Sequence, residues 1–235
     1  MKKSVYSIFI SGFLLLLTSC SQQYNIAGNS NLPVMDGRML YLTISPDGTV
    51  RSNVDSCQVV HGRFSFQGDV DSVVWAQLCM GNENVMPVVL ENGKVDIFVD
   101  NFGQRVKGSP LNNKLAEFWR KKERIDNDIW GVQQQYMRLI REGKSPQEVR
   151  KKLSSQTRKL STRMQDLETK FVQDNYGNVL GTGFFMMICS QYPIPVLTAQ
   201  IRKILDDAPT SFLCHPFVHN YILETRYVKE NKRKR

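Results

Sequence analysis

The sequence predicts an α+β fold, in which an N-terminal antiparallel β-sandwich or barrel-like domain precedes a C-terminal helical domain with a long helical hairpin. Two patterns support this prediction. Short apolar runs separated by glycine-bearing turns occupy residues 24–108, a spacing typical of antiparallel sandwiches and barrels. From residue 109 the apolar residues recur at steps of three and four, which is the period of a helix. The sandwich domain is therefore predicted over residues 20–108 and the helical domain over residues 109–228.

The strands of the first half are predicted from apolar runs bounded by turn residues. These runs lie at residues 39–44, 55–60, 63–67, 85–90 and 94–99. His61-Gly62 joins the second run to the third, and a two-residue loop of this kind closes a hairpin. Glu91-Asn92-Gly93 joins the fourth run to the fifth, so a second hairpin is predicted there.

The helical hairpin is predicted from two long apolar stripes. The first stripe consists of Leu111, Leu115, Phe118, Lys122, Ile125, Ile129, Val132, Tyr136 and Leu139, with Lys122 as its polar member. Gly143 is predicted to end this helix, and Ser145 and Glu148 form a capping box with Pro146 at the first position of the next helix. The second stripe consists of Val149, Leu153, Leu160, Met164, Leu167 and Phe171. Two amphipathic helices joined by so short a turn form an antiparallel hairpin.

Three shorter helices are predicted after residue 177. They lie around residues 184–188, 196–205 and 216–227. The first is apolar on every side, so we expect it inside a helical cluster. The basic run at residues 229–235 is predicted as a solvated tail.

The start of the chain is typical of an export signal. A basic start precedes an apolar segment, residues 5–17, that is shorter than the about 20 residues a membrane span requires. Leu17-Thr18-Ser19-Cys20 resembles the lipobox of bacterial lipoproteins. This resemblance implies that residues 1–19 are a signal peptide and that Cys20 carries the lipid that holds the chain on the membrane. An ordinary secretory signal or an uncleaved anchor is the alternative.

The residues after Cys20 indicate where such a lipoprotein would lie. Ser21-Gln22-Gln23 places no aspartate next to the cysteine, and no acidic cluster follows it. By resemblance to lipoprotein sorting patterns, this favours an outer-membrane lipoprotein that faces the periplasm rather than the cell surface.

Five segments of the mature chain resemble a known family in their order and spacing. They are Tyr24-Asn25-Ile26-Ala27-Gly28, Asp55-Ser56, Gly62-Arg63-Phe64-Ser65-Phe66-Gln67-Gly68, Leu90-Glu91-Asn92-Gly93-Lys94-Val95 and Gly108-Ser109-Pro110-Leu111-Asn112. The family is the domain of unknown function DUF4369, common as the N-terminal part of thioredoxin-like thiol-disulfide oxidoreductase lipoproteins of Gram-negative bacteria. The helical half resembles the connector of those proteins through its hairpin, Asp174-Asn175 and His215-Pro216.

This resemblance implies the same architecture and cellular location, but it does not imply the same catalytic activity. In those oxidoreductases a thioredoxin domain with a Trp-Cys-x-x-Cys motif follows the last helix and performs the redox chemistry. The sequence ends at Arg235 without that motif. We therefore expect neither a catalytic residue nor a cofactor from the resemblance.

Four cysteines remain in the body of the chain, and no C-x-x-C motif is present. They are Cys57, Cys79, Cys189 and Cys214. An oxidising periplasm would allow them to pair, and three connectivities are open. The favoured expectation is that each is a small buried apolar residue, which is how free cysteine usually behaves.

Cys214, His215 and His219 form the most metal-like cluster in the sequence. The two histidines are four residues apart, and a helix places such residues on one face. A zinc site would need about four ligands, with Glu224 or His61 completing the set. The proline after His215 favours a helix cap there instead, so no metal site is predicted.

Two pairs of carboxylates are the candidates for acid-base chemistry. Asp69 with Asp71 and Asp206 with Asp207 each lie beside a turn signal, where aspartate commonly binds backbone groups. The sequence has no glycine-rich phosphate loop and no Gly-x-Ser-x-Gly elbow. Catalytic residues are therefore not predicted.

The net charge of +9 is concentrated in the helical half. The clustered basic residues are Arg120, Lys121, Lys122, Arg124, Arg150, Lys151, Lys152, Arg158, Lys159 and Arg163. Such clusters can bind nucleic acid or anionic surfaces, but a periplasmic protein is not expected to meet nucleic acid. The simplest interpretation of these clusters is a solvated surface. The functional interpretation is attraction to the anionic envelope surface or to an acidic protein. Trp119 and Trp130 are predicted to pack the hairpin.

These inferences favour a non-catalytic, lipid-anchored module that binds or scaffolds another envelope protein. A second hypothesis is that the module serves a redox system in trans and holds a separate thioredoxin-fold protein or its client near the membrane, because the chain resembles an oxidoreductase without its catalytic domain. The alternative is an enzyme of unrecognised type, with its site in the groove between the sandwich and the helical domain.

Overall fold

A computed structural model describes residues 22–48 and 50–233. Eight strands come first: β1 Gln22–Ser30, β2 Met39–Ile44, β3 Ser52–Gln58, β4 Arg63–Val70, β5 Val74–Met80, β6 Glu83–Leu90, β7 Gly93–Asp100 and β8 Gly103–Lys107. Six helices follow: α1 Pro110–Arg141, α2 Pro146–Gln173, α3 Val179–Cys189, α4 Ala199–Asp206, α5 Thr210–Leu213 and α6 Pro216–Arg233. The predicted signal peptide and Cys20 lie outside the described residues.

The strands form two four-stranded sheets, and the predicted α+β fold is confirmed. Sheet 1 has the order β4-β1-β7-β8, and sheet 2 has the order β3-β2-β5-β6. The described strands thus form a sandwich of two sheets and not a barrel. Neighbouring strands are antiparallel except β1 and β7, which are parallel. The core between the sheets is made of alternate side chains such as Ile26, Leu42, Phe66, Leu78 and Ile97.

The predicted loop at His61-Gly62 is present, but it joins the two sheets. Both residues have positive φ, 49° and 70°, as a tight two-residue turn requires. Val60 and Arg63 exchange backbone bonds of 2.9 and 3.0 Å across it. Before this turn, β3 pairs with β2 in sheet 2. After it, β4 pairs with β1 in sheet 1. A Cβ on Gly62 would overlap the carbonyl oxygen of Ser30, so glycine is required there.

The hairpin predicted across Glu91-Asn92-Gly93 is wrong. β6 pairs with β5 in sheet 2, whereas β7 pairs with β1 and β8 in sheet 1. The reason is burial on both faces of β6: Val88 packs inside the sandwich, while Val89 packs into the helical cluster. A strand covered on both faces shows no alternation that would identify its partner.

α1 begins against the end of sheet 2 through two buried polar side chains. The Oε1 of Glu91 accepts the N–H groups of Leu111 at 2.8 Å and Asn112 at 3.1 Å, which also complements the positive end of the helix dipole. Asn112 accepts the N–H of Val89 at 3.0 Å and donates to the Val89 carbonyl and to the Ser109 hydroxyl, both at 2.8 Å. Because β6 is an edge strand, Asn112 satisfies its backbone as a neighbouring strand would.

The long helical hairpin is confirmed as α1 and α2. Its turn has Gly143 at φ 85°, and Ser145 and Glu148 form the predicted reciprocal capping box. At its outer end the two helices bury Val132, Leu139, Val149, Leu153 and Leu160 against one another. The inner end packs into a second core with α3, which is buried on nearly every side as predicted.

The Asn112→Ala variant is expected to lose about 2–4 kcal/mol of unfolding free energy. The substitution leaves the N–H and the carbonyl of Val89 buried without partners, and each such group costs roughly 1–3 kcal/mol. Urea denaturation followed by circular dichroism would measure the loss. Asn127→Ala, at an exposed position of the same helix, is the matched control and should change stability by less than about 0.5 kcal/mol. Equal effects of the two substitutions would contradict the assigned role of Asn112.

Candidate functional site

A groove of about 920 Å³ lies between the outer face of sheet 2 and the helical domain. Its floor is formed by β2, β5 and β6. One wall is α1, together with the turn that joins β7 to β8. The other wall is the end of α3, the segment after it and α6. The volume is in the range of pockets that hold small ligands or short peptide segments.

The floor of the groove follows from the two-residue period of β5. Ala76 and Leu78 point into the sandwich, so Trp75 and Gln77 point outward to the groove. Gly183 of α3 lies directly on Trp75, and a Cβ at residue 183 would overlap the indole ring. This contact sets how closely α3 can approach the sheet.

Aromatic and methionine side chains form the walls. Trp119 of α1 lies edge-to-face against Phe118 and Phe184, with ring centroids 5.3 and 6.1 Å away. Met186 and Met187 of α3 line the opposite side. Unbranched thioether side chains adapt to varied apolar partners, and aromatic rings supply large contact area. The walls therefore suit an apolar or aromatic group of a ligand.

The loop between β2 and β3 closes one end of the groove. Gly48 in this loop has φ 77° and lies so close to the ring of Phe217 on α6 that a Cβ would overlap it. Phe102 lies at the other end and is 87% exposed. Since Ile44 and Asp100 end their strands at opposite ends of the sandwich, the groove runs along the strands.

The polar part of the floor is a connected set of side chains. The Thr43 hydroxyl lies 3.5 Å from the Cys79 sulfur, which lies 3.4 Å from the Oδ1 of Asn84. Thr43 and Cys79 are buried, whereas Gln77 and Asn84 reach the groove. Amide side chains on a floor of this kind can donate to and accept from a ligand backbone.

Four charged side chains lie around the rim. Glu123 and Asp126 come from α1, and Asp126 is paired with Lys122 at 3.0 Å. Arg105 forms an ion pair with Asp100, and Arg51 comes from the loop that follows β2. The rim thus presents both signs of charge rather than one.

Tyr221 fixes the segment that follows α3. Its hydroxyl donates to the carbonyl of Val196 at 2.8 Å and accepts the N–H of the same residue at 3.0 Å. Burial raises the pKa of Tyr221 to about 12, and burial also raises the pKa of the neighbouring Cys189 thiol to about 12. Cys189 is therefore protonated at neutral pH and is a poor nucleophile.

The four body cysteines are all free in the structure. The expectation of buried apolar residues is confirmed for Cys79 and Cys189, whereas Cys57 is half-buried. It is wrong for Cys214, which is exposed because it follows the short helix α5 at the surface. Burial raises the pKa of Cys57, so its thiol is also protonated at neutral pH.

The structure does not bring the metal-like cluster together as a site. Among the side chains of residues 23–48 and 50–225, no three His, Cys, Asp or Glu residues are grouped to hold a metal ion. His215 directly precedes α6, its carbonyl accepts the N–H of His219 at 2.9 Å, and His219 is exposed. The Nδ1 of His215 is buried without a partner, and burial lowers the pKa of this imidazole.

The paired aspartates are also separate from the groove. Asp69 lies on β4 and Asp71 follows that strand, on the sheet opposite the groove floor. Asp206 ends α4, and Asp207 accepts a bond of 3.2 Å from Gln173. None of these four carboxylates lines the groove.

The two helical tryptophans differ in environment. Trp119 packs in the helical core as predicted and also lines the groove. The prediction for Trp130 is wrong, because its side chain is 59% exposed. The stripe residues Ile129 and Val132 turn toward α2, which leaves position 130 on the outer face of α1.

The fold defines a sandwich domain of two four-stranded sheets. A buried contact between Glu91 and Asn112 joins this sandwich to the first helix. Residues 24–115 match the model of the family Domain of unknown function (DUF4369). The match covers the sandwich and the start of α1, where both halves of that contact lie. The resemblance noted for the first half is therefore confirmed. No curated protein matches the chain.

Residues 22–48 and 50–233 include no helix with the length and apolar content to cross a membrane.

Stability is predicted to fall as pH rises from about 10 to about 12. An unfolded tyrosine loses its proton near pH 10, whereas Tyr24 and Tyr221 keep theirs to about 12 in the fold. Because the folded pKa is raised, the stabilisation is complete below pH 10 and is lost as pH rises through 12. Urea unfolding at stepped pH would measure this.

The Tyr221→Phe variant should show a shallower alkaline decline, since one of the groups whose pKa is raised in the fold is gone. It should also lose about 1 kcal/mol at neutral pH with the Val196 bonds. Tyr136→Phe, at a half-buried position in the core of the hairpin and outside the Val196 contact, is the control and should keep the wild-type pH dependence. An unchanged decline in Tyr221→Phe would contradict the assignment.

Proposed function

We propose that this protein is a non-catalytic, lipid-anchored binding module of the bacterial cell envelope, and that its groove binds an extended segment of a partner protein. The observation that carries the proposal is the groove itself. Trp75, Trp119 and Met186 offer an apolar contact surface beside the amides of Gln77 and Asn84. An extended segment needs this combination, with an apolar site for a side chain and polar groups for its backbone.

The anchor is supported by where the chain enters the sandwich. β1 starts at Gln22, two residues after Cys20, so the tether spans at most about 7 Å. At its start β1 lies beside Gly68 and Gly93, at the same end of the sandwich as Glu91 and the beginning of α1. A lipid on Cys20 would hold this end of the sandwich close to the outer membrane.

The partner class follows from the resemblance to oxidoreductase lipoproteins. A thioredoxin-fold protein acting in trans would supply the C-x-x-C motif that the chain does not contain. The four free cysteines give no support to redox chemistry by this chain alone, since Cys57 and Cys189 have raised pKa values.

The alternative is an enzyme that uses the same groove. The groove lies between the two halves, where the enzyme hypothesis places a site. Cys189 and Tyr221 are its groups with large pKa shifts, and both shifts favour the protonated, unreactive form. Binding is therefore the better supported function.

The first test concerns the anchor. The Cys20→Ala variant is expected to leave the membrane fraction, because the acyl chains attached through its thiol hold the protein there. Detergent phase partitioning of cell envelopes and metabolic labelling with a fatty acid would measure this. Full retention of the label in the variant would rule out Cys20 as the lipid site.

The second test concerns the groove. Lipidated protein would be crosslinked in envelope membranes and recovered, with captured proteins compared between wild type and Met186→Lys. A charge at this wall should reduce capture of a groove-bound partner at least about tenfold, because an unpaired ammonium is costly to bury.

The matched control for the groove is Met137→Lys, which adds the same charge at a side chain that is 54% exposed and far along the hairpin. Capture should be unchanged in this variant. If both variants capture the partner as well as wild type does, the groove is not the docking site. Comparison with and without reductant would show whether the body cysteines take part.

A further inference from the structure

The outer end of the helical hairpin is strongly basic. We define the hairpin tip as residues 138–160, which contain eight basic and two acidic residues. The basic residues are Arg138, Arg141, Lys144, Arg150, Lys151, Lys152, Arg158 and Lys159. The tip thus has a net charge of +6, out of +9 for the whole chain.

The two acidic residues of the tip are already engaged within it. Glu142 lies 3.9 Å from Arg138, and Glu148 is held by Ser145 in the capping box. Within residues 138–160, Arg138 is the basic residue with an ion pair. Like charges close together on a helix destabilise it, so this charge density does not serve the stability of the hairpin.

The tip is separated from the rest of the molecule. Its buried side chains contact one another across α1 and α2, in a small core of their own. Asp126 lies at the groove together with Phe102, so α1 has passed the end of the sandwich before residue 138. The turn at Gly143 then lies roughly 25 Å beyond the groove, at about 1.5 Å per helical residue. All eight basic residues of the tip are exposed.

The tip has charge without exposed large apolar side chains. The large hydrophobic side chains that the described structure exposes include Trp130 and Met137 but none within residues 138–160. A membrane-binding element would need an apolar face to enter the interface, and a protein interface would need aromatic or apolar anchors. A hydrated polyanion needs neither an apolar face nor apolar anchors. A flexible polymer can also wrap around the tip, whereas a flat surface can contact only one side of it.

From these observations we infer that the hairpin tip binds a hydrated, carboxylate-bearing polymer, the chemistry of the bacterial cell wall. The charge and isolation of the tip do not depend on the proposed groove function. The choice of the cell wall depends on the proposed envelope location. With the Cys20 end at the membrane, α1 starts there and extends about 48 Å away from it, at 1.5 Å per residue over its 32 residues. The tip would then reach outward from the membrane.

The test uses the full lipidated chain in non-ionic detergent, sedimented with purified insoluble cell wall. The tip variant replaces Arg150, Lys151 and Lys152 by glutamine; all three side chains are exposed. Binding should fall roughly tenfold to a hundredfold, since each Lys or Arg near an anionic surface contributes about fivefold. Binding of the wild type should weaken steeply with salt, because counterions are released on contact, and the variant should show a weaker salt dependence.

The matched control replaces Lys114, Arg120 and Arg124 by glutamine, which removes the same charge from exposed positions near the start of α1. Its binding should stay within about twofold of wild type. Equal losses in the two variants would mean that net charge alone attracts the wall, and would overturn a site at the tip. Circular dichroism would confirm that both variants keep the helical hairpin.

Two further probes decide the class of polyanion. Vesicles of phosphatidylcholine with phosphatidylglycerol test an anionic lipid surface, and polyglutamate tests an acidic polypeptide without the wall structure. Capture by the wall that exceeds capture by both probes supports the proposal. Capture by vesicles or polyglutamate alone overturns it. The groove partner is measured separately by Met186→Lys, so failure at the tip is distinguishable from failure at the groove.

Discussion

The contact between Glu91 and the first turn of α1 determines how the two halves of this protein fit together. It is a buried carboxylate at a helix N-terminus, which satisfies two backbone N–H groups where water cannot reach. Asn112 completes the contact by covering the free edge of β6. Gly108 has φ 124° and lies against the carbonyl of Lys94, so no larger residue could bring the chain into this position. The direction of α1 is fixed here, and the positions of Trp119, the groove and the hairpin tip follow from it.

The groove depends on two other close contacts in which a glycine meets an aromatic ring. Gly183 places α3 directly on Trp75, and Gly48 places the β2–β3 loop on Phe217. Each contact fixes a distance that a side chain would enlarge. These contacts define the shape of the groove without a ligand, so the proposed binding would cost little free energy for reshaping it. In the proposed binding role of the groove, specificity would come from its shape and from a few polar groups such as Gln77 and Asn84.

The local signals of the sequence were reliable where structure depends on neighbours in the chain. The capping box at Ser145, the apolar stripes of α1 and α2, and the turn at His61-Gly62 all depend on short-range geometry. Strand pairing was not predictable in the same way, because β6 is buried on both faces, and β6 and β7 are adjacent in sequence but lie in different sheets. The sequence pattern of a hairpin is then the same as that of a connection that crosses from one sheet to the other.

The candidate groove could be located only in outline from the sequence. The enzyme alternative placed a site between the halves, but Trp75, Gln77 and Met186 come from segments that are distant in the chain. One signal was available: β5 carries an outward tryptophan on a strand whose inward residues are small or aliphatic. The exposed position of Trp130 was missed because a helical stripe shows which residues are buried on average, and position 130 lies just outside it.

The parallel pairing of β1 with β7 has a consequence for folding. β1 lies in the middle of sheet 1, and its parallel neighbour begins at Gly93, about seventy residues further along the chain. Sheet 1 cannot close until that later segment is available, and such non-local pairing slows folding. A chain that emerges N-terminus first therefore remains open through most of the synthesis of its sandwich. In the proposed export of this chain, slow closure would leave time for transport to precede folding.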